Sequence, residues 1–446
     1  MPIGLEGSMT SFFVCALRIF LFFCVGFGVG RPTPLLAQET TLPAYVIEQF
    51  GTPPPIPDGP LSKEIEAAVQ AVFIDAVQQS QWGADQAAAL DKVAASGDPR
   101  LAWIIADRMR FTWQLDFNNA LAAAAAKLLG IEFTDHERWH LINDHLIAWD
   151  VPAFPGYLAA KRAIFTHFVP GWEMLFVEGD IEWQMVSWGG VLIDDRPHDA
   201  TEQVCNCIPA TDNPETSSAD AATWLKDDDV VFGISINGEH RAYPRRILEV
   251  REMVNDTLGG RDLALPYCSL CGAAQAYFTD RMPAGVERPI LRTSGLLIRS
   301  NKIMYDLNTY SLFDTFRGNA VTGPLYEKAI KLEQASVVTT DWATWKKQYP
   351  ETTVLVERLA LGRDYDFRNG RDARGPIFPI GDVDPRLPVQ EDVVGVVTGA
   401  GQAIAFQRSR AMAALQGGVR VGVDDVALVL EAGGLKAVDA NGTDLS

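Results

Sequence analysis

DDDVVFGISINGEHRAYPRRILEVREMVNDTLGGRDLALPYCSLCGAAQAYF, residues 227–278, is the stretch on which the reading of this chain turns. VVFGISI (230–236) and DLALPYC (262–268) alternate apolar and polar side chains with the two-residue period of a half-buried strand. Asn237-Gly238-Glu239 and Gly259-Gly260 supply turn chemistry beside them. The stretch ends in Cys268-Ser-Leu-Cys271, two thiols at a spacing that lets both sulfurs point the same way, followed by AAQAYF, which reads as a strand leading out. A strand on each side of the pair differs from the strand-to-helix junction of thioredoxin-type motifs.

Outward from this stretch the pattern remains β. IEWQMVSWGGVLID (181–194), AQAYF (274–278) and PILRTSGLLI (289–298) read as strands, and 201–221 reads as a polar loop carrying Cys205, Cys207 and Pro214. A weak echo of 228–278 recurs at 391–438 (EDVV, AGQAIAFQRSRA, VRVGVDDVALVLEAGGLKAV), without a cysteine. Before residue 181 the period changes. IEAAVQAVFIDAVQQ, ADQAAALDKVAA, PRLAWIIADRMRF and NNALAAAAAKLLG are helical, with Asp98 a cap and Pro99 suited to a first helical position. The expected fold class is therefore α+β. A helical domain (61–180), resembling HEAT-type helix pairs, precedes a β-rich domain (181–446) that contains a partial internal duplication. TPPPIPDGP marks 38–60 as a Pro-rich, extended linker.

Bulk properties narrow the function. A chain of 446 residues, 48% hydrophobic and 21% charged, is ordinary for a folded protein of two or three domains. A formal net charge of −19 repels phosphate backbones and anionic bilayers, which argues against a nucleic-acid partner. Arg18, the apolar run 19–29 and Leu35-Leu36-Ala37 form a signal-peptide pattern, with cleavage expected after Ala37 (residues 1–37) and a periplasmic or secreted destination. An uncleaved anchor is the alternative, reached if 11–17 joins the apolar run. No later segment is long and apolar enough to span a bilayer. Two of the six cysteines, Cys15 and Cys24, fall in the signal. The remaining four suit disulfides in an oxidising compartment, or one metal.

The second half resembles the bacterial family catalogued as domain of unknown function 3179. The matching residues are WGGVLIDD (188–195), IPATDNP (208–214), FGISINGEHRAYP (232–244), VNDTLGG (254–260), YCSLCGAA (267–274), TSGLLIRSNKIMYD (293–306), GPLYEKAIKLE (323–333) and FPIGDVDPRLPVQEDVVGV (378–396). The resemblance implies an exported or envelope-associated bacterial protein with a YCxLCG signature and brings no agreed activity. Many members carry a His before the Glu that precedes VND. Here that position is Arg251, followed by Glu252, so a Cys-Cys-His metal site would be incomplete.

Three chemistries follow from Cys268 and Cys271. Thiolates at this spacing hold a soft metal, copper or zinc, with Cys205, Cys207 and Met304 as candidate further ligands. The same pair can exchange electrons as a thiol–disulfide oxidoreductase, one Cys as nucleophile and the other resolving it. Or it closes a structural disulfide in a non-catalytic module that meets another envelope protein through the helical domain. His136-Glu137-Arg138-Trp139-His140 matches the HExxH string of zinc proteases, but lacks a well-spaced third ligand and reads as a surface helix. His240, Tyr243, Glu252, Asn255 and Asp256 read as structural, Asn255-Asp256 as turn chemistry. No nucleophile elbow, P-loop or dinucleotide-binding glycine motif is present.

Overall fold

Ala-rich, well-capped sequences build the first half of the fold. Ser62 accepts a hydrogen bond from the Ile65 N–H and opens the helix Lys63–Val69, which runs through a π-helical turn, Gln70–Asp75, into Ala76–Gln78. Ala84–Ala95 follows, and Asp98 caps the 3₁₀ turn Pro99–Leu101 by accepting from Arg100 N at 3.1 Å. The helix Ala102–Met109 is buried almost throughout and packs on Leu115–Leu129, Arg138–Ala148 and Tyr157–Phe168. Inside this bundle Lys161 Nζ donates to Asp107 Oδ1 at 2.7 Å, to Tyr157 Oη at 3.0 Å and to the Val186 carbonyl at 2.6 Å. All three groups are buried, so the ammonium is held by partners on the helices and on the chain that enters the β-rich half. The 38–60 segment expected as an extended linker contains a helix, Ala44–Phe50, because Val46 reaches the core.

This computed structural model describes residues 42–78, 82–133, 137–201, 205–357, 375–398 and 401–445. The export signal expected at 1–37 and His136 lie outside the described residues. From Leu42 the helical and β-rich halves form one unit. Among the described residues no helix is long and apolar enough to cross a membrane.

Fifteen strands build three sheets. They are β1 (Val186–Trp188), β2 (Thr211–Asp212), β3 (Thr216–Ser218), β4 (Val230–Ile236), β5 (Glu239–Pro244), β6 (Met253–Leu258), β7 (Arg261–Cys268), β8 (Ala273–Ala274), β9 (Ala276–Phe278), β10 (Leu291–Ile298), β11 (Asn301–Asp306), β12 (Leu312–Asp314), β13 (Glu333–Ala335), β14 (Val338–Asp341) and β15 (Thr353–Leu355). The orders are β1-β10-β11-β12, β13-β9-β7-β6-β2 with β8 paired to β7, and β14-β4-β5-β15-β3. The first sheet carries the helical layer. One apolar core runs from Val72, Phe73 and Trp103 through Trp172 to Leu296, Ile303, Tyr305 and Leu312. The Trp172 indole N–H donates to the Ser294 carbonyl at 2.8 Å across this junction. The α+β class is thus the observed one.

Local chemistry explains most strand ends. Asn237 and Gly238, both at positive φ, make the two-residue turn between β4 and β5, and Gly259 and Gly260 do the same between β6 and β7. The 181–194 segment is less regular than expected: a 3₁₀ turn, Trp183–Met185, and the three residues of β1 precede Gly190 at φ 91°. The 201–221 segment, read as a loop, includes β2 and β3. Near the C-terminus come β16 (Val393–Val397), β17 (Ala403–Gln407), the helix Arg408–Gln416, β18 (Val421–Val423), β19 (Val426–Glu431) and β20 (Gly434–Val438). Strand, strand, helix, strand, strand is also the order of β4, β5, the helix Arg245–Arg251, β6 and β7.

Candidate functional site

β7 runs buried to its last residue, Cys268, and the chain then turns back at once. The carbonyl of Cys268 accepts from the N–H groups of Cys271 (3.2 Å) and Gly272 (2.8 Å), and Gly272 takes the left-handed conformation at φ 66°. β8 pairs on Tyr267 and Cys268 immediately afterwards, so the pair sits in a hairpin tip with a strand on either side, as the sequence predicts. The two sulfurs are joined in a disulfide. They differ in access. Cys268 is 1% exposed, whereas Cys271 is at the surface, its Sγ 3.5 Å from Asn301 Oδ1. The Cys271 N–H points at Cys268 Sγ over 3.3 Å.

Cys268 faces a cavity of about 420 Å³. Val191, Leu296, Leu297, Ile377 and Phe378 are among its apolar walls, and Glu249, Glu252, Ser269, Thr293 and Lys302 supply its polar groups. A larger open groove of about 1780 Å³ runs along β16 and β17, but Cys268 and this polar cluster lie outside it, so the smaller cavity is the candidate site. Its shape depends on a bulge in β10. The register to β11 slips between Thr293 and Leu297, with Gly295 at φ 78°. A Cβ on Gly295 would stand 2.4 Å from the Val191 carbonyl oxygen, so only glycine fits there.

Glu252 organises the polar end. It terminates the helix Arg245–Arg251 in the left-handed region, φ 51°, which is uncommon for a residue with a side chain. In this conformation its carbonyl accepts from the Tyr267 N–H at 2.9 Å and from the Lys302 ammonium. Its carboxylate accepts from Ser269 Oγ at 2.5 Å and lies 3.8 Å from Lys302 Nζ. Lys302, on β11, is fully enclosed. Burial pulls its amine down to about 8 from 10.5, and the Glu252 and Asp194 carboxylates offset part of that shift. Glu249 lies 3.7 Å from the Arg245 guanidinium. Thr293 Oγ1 is buried and has no hydrogen-bond partner.

The other residues singled out in the sequence go elsewhere. Cys205 and Cys207 are joined to each other, not to the hairpin-tip pair, and Cys207 packs 3.6 Å from Asp194. Met304 is enclosed in a core cluster with Leu291, Phe313 and Tyr277 that includes neither Cys268 nor Cys271. With all four sulfurs bonded in pairs, none is a free thiolate in this state. The helix Arg138–Ala148 begins inside the HExxH string, with Glu137 at its N-cap position, and His140 Nε2 lies 2.7 Å from the Ile377 carbonyl. His240 stacks on Tyr349 and bonds Ser235 at 2.7 Å. Asn255 and Asp256 are not in a turn. Both are buried in β6, where Asp256 binds Arg241 at 2.6 Å and Tyr243 Oη at 2.7 Å, and Asn255 exchanges two bonds with Leu291. Arg251 is buried and paired with Glu357 at 2.7 Å. The one group of His and acidic side chains close enough to share a cation among the described residues, His198, Asp199 and Asp212, is away from the cavity, and both Asp212 oxygens already bind Arg292.

Glu249, Ser269, Thr293 and Lys302 are site residues that no sequence motif marks. Lys302 sits inside KIMYD with no neighbouring polar pattern. Its one signal is a charged residue directly before the apolar run Ile303-Met304-Tyr305 in β11.

No curated protein matches the chain, and no solved structure matches it. A family model described as protein of unknown function matches residues 205–445, more than half of the sequence and the whole of the Cys268–Cys271 region. The chain belongs to that family, the proteins of unknown function called DUF3179.

Proposed function

We propose that Cys268 and Cys271 form a thiol–disulfide exchange centre in an exported protein. The observation that carries the reading is the unequal access of the two sulfurs: Cys271 at the surface, Cys268 buried in the wall of the cavity. An incoming substrate thiolate attacks Cys271 Sγ and forms a mixed disulfide with it. The electron pair of the broken bond leaves on Cys268, whose thiolate is stabilised by the Cys271 N–H. A second thiolate of the substrate then attacks the substrate's own sulfur, releasing reduced Cys271 and an oxidised substrate. In further support, the strand–strand–helix–strand–strand order is built again at 393–431 without a cysteine, so that arrangement does not need the pair. We read this second run as a duplicated copy of the first.

The reading of a copper or zinc ion held by Cys268 and Cys271 applies to the reduced protein, where both sulfurs are free. The reading of an envelope interaction module draws on the helical half, where Trp113 is 91% exposed beside exposed Leu115.

The test is equilibration of the mature protein in glutathione redox buffers, alkylation, and mass analysis of each Cys peptide. Exchange predicts that the 268–271 pair titrates between about −120 and −270 mV, and that Cys268→Ser accumulates a mixed disulfide on Cys271. A potential below about −300 mV would make the pair structural. Stoichiometric zinc or copper on the reduced protein, lost in Cys268→Ser, would replace exchange by metal binding.

A further inference from the structure

We propose that the cavity beside Cys268 takes a small uncharged aldehyde or ketone, whose carbonyl carbon is attacked by the amine of Lys302. Three observations carry this, and none depends on the state of the sulfurs.

First, the polar end of the cavity is incompletely satisfied. Lys302 Nζ has three hydrogens when protonated, and its partner among the described residues is Glu252, through the carbonyl and, at 3.8 Å, the carboxylate. Thr293 Oγ1, buried on the same cavity, has no partner at all. Buried polar atoms are rarely left so, and this one, on the cavity that Lys302 also lines, points to a ligand that supplies an acceptor oxygen.

Second, the charges are already balanced. Glu252 faces Lys302 at 3.8 Å and Glu249 faces Arg245 at 3.7 Å. A carboxylate or phosphate ligand would find no unneutralised cation here, and a cationic one no spare carboxylate. The walls, including Val191, Leu296, Leu297, Ile377 and Phe378, suit an apolar body. A volume of about 420 Å³ lies in the ordinary range of small-molecule pockets.

Third, the groups needed for amine–carbonyl condensation are adjacent. A lysine enclosed away from water is the usual amine nucleophile toward a carbonyl. As the Lys302 nitrogen forms its bond to the carbonyl carbon, the carbonyl electron pair moves to oxygen, and the proton shed by nitrogen has the Glu252 carboxylate 3.8 Å away to receive it. Passed on to the oxygen, that proton gives a carbinolamine; the second proton of the nitrogen follows by way of the same carboxylate, so that the oxygen leaves as water and a carbon–nitrogen double bond remains. One amine and one carbonyl are consumed and one water is released, with no change of oxidation state. Ser269, donating to the same carboxylate at 2.5 Å, holds it in place.

The experiment is reductive trapping on the full mature chain with benzaldehyde and sodium cyanoborohydride, followed by peptide mass spectrometry at short times. Exposed Lys63 and Lys347 serve as internal references. The expected result is labelling of Lys302 at least tenfold faster than either reference, saturating with benzaldehyde concentration. Labelling of Lys302 no faster than at Lys63 and Lys347, or rising linearly without saturation, would overturn the proposal. Because the readout is taken on unmutated protein, folding of a variant does not enter. Trapping at Lys302 and exchange at Cys268–Cys271 succeed or fail separately.

Discussion

Replacing Lys302 by Met should change how the stability of this protein depends on pH. The folded protein holds the Lys302 amine at about 8, against 10.5 for an unperturbed lysine, because β11 and the cavity walls strip it of water faster than the Glu252 and Asp194 carboxylates compensate. The folded value lies below the unfolded one, so between about pH 8 and 10.5 the unfolded chain holds the extra proton. Stability must therefore rise with pH through that window and carry its full penalty below it. At 1.36 kcal/mol per unit, the shift amounts to about 3 kcal/mol in all, of which about 2 kcal/mol is recovered between pH 7 and 9.5. Lys302→Met keeps the length and the apolar stem of the side chain but has no proton to lose. The measurement is urea unfolding of both proteins at pH 7, 8 and 9.5, disulfides intact and no thiol present. Groups common to the two cancel, and the wild-type stability should gain about 2 kcal/mol on the variant across the range. Curves that stay parallel within about 0.5 kcal/mol, or that diverge in the opposite direction, would refute the enclosure of this amine.

Two further perturbations test the frame around the site. Gly295→Ala forces a side chain into the left-handed region and against the Val191 carbonyl at 2.4 Å, and should cost about 2–5 kcal/mol in denaturant unfolding, whereas Gly260→Ala, at φ 71° with nothing within 4 Å, should cost about 1 kcal/mol. Lys161→Met leaves the buried Asp107 carboxylate with Tyr157 as its side-chain partner among the described residues and should destabilise the helical half by about 3–5 kcal/mol, with Ala102–Met109 losing amide protection first.

Elements set by neighbouring residues were readable without the structure. β4 coincides with VVFGISI, β7 ends where DLALPYC ends, and the helix Ala84–Ala95 coincides with ADQAAALDKVAA, because strand alternation, helix propensity and capping act over a few residues. The same locality made the Cys268–Cys271 hairpin tip and its outgoing strand legible. It failed where contacts from elsewhere override local pattern: Val46 draws part of an expected linker into a helix, and Asn255-Asp256, turn formers by composition, are held in a central strand by Leu291 and Arg241.

Sequence alone thus settled the α+β class, the position of the Cys268–Cys271 pair and the turns of the strands around it. Tertiary structure decided which sulfur pairs with which, and it made the cavity. Glu252 comes from a helix end, Ser269 from a hairpin tip, Thr293 from one side of a bulge and Lys302 from the next strand. No spacing rule links residues so far apart in the chain. Their meeting follows from the bulge at Gly295 and from the left-handed turn at Glu252, both of which are stabilised by partners that only the assembled sheets bring within reach.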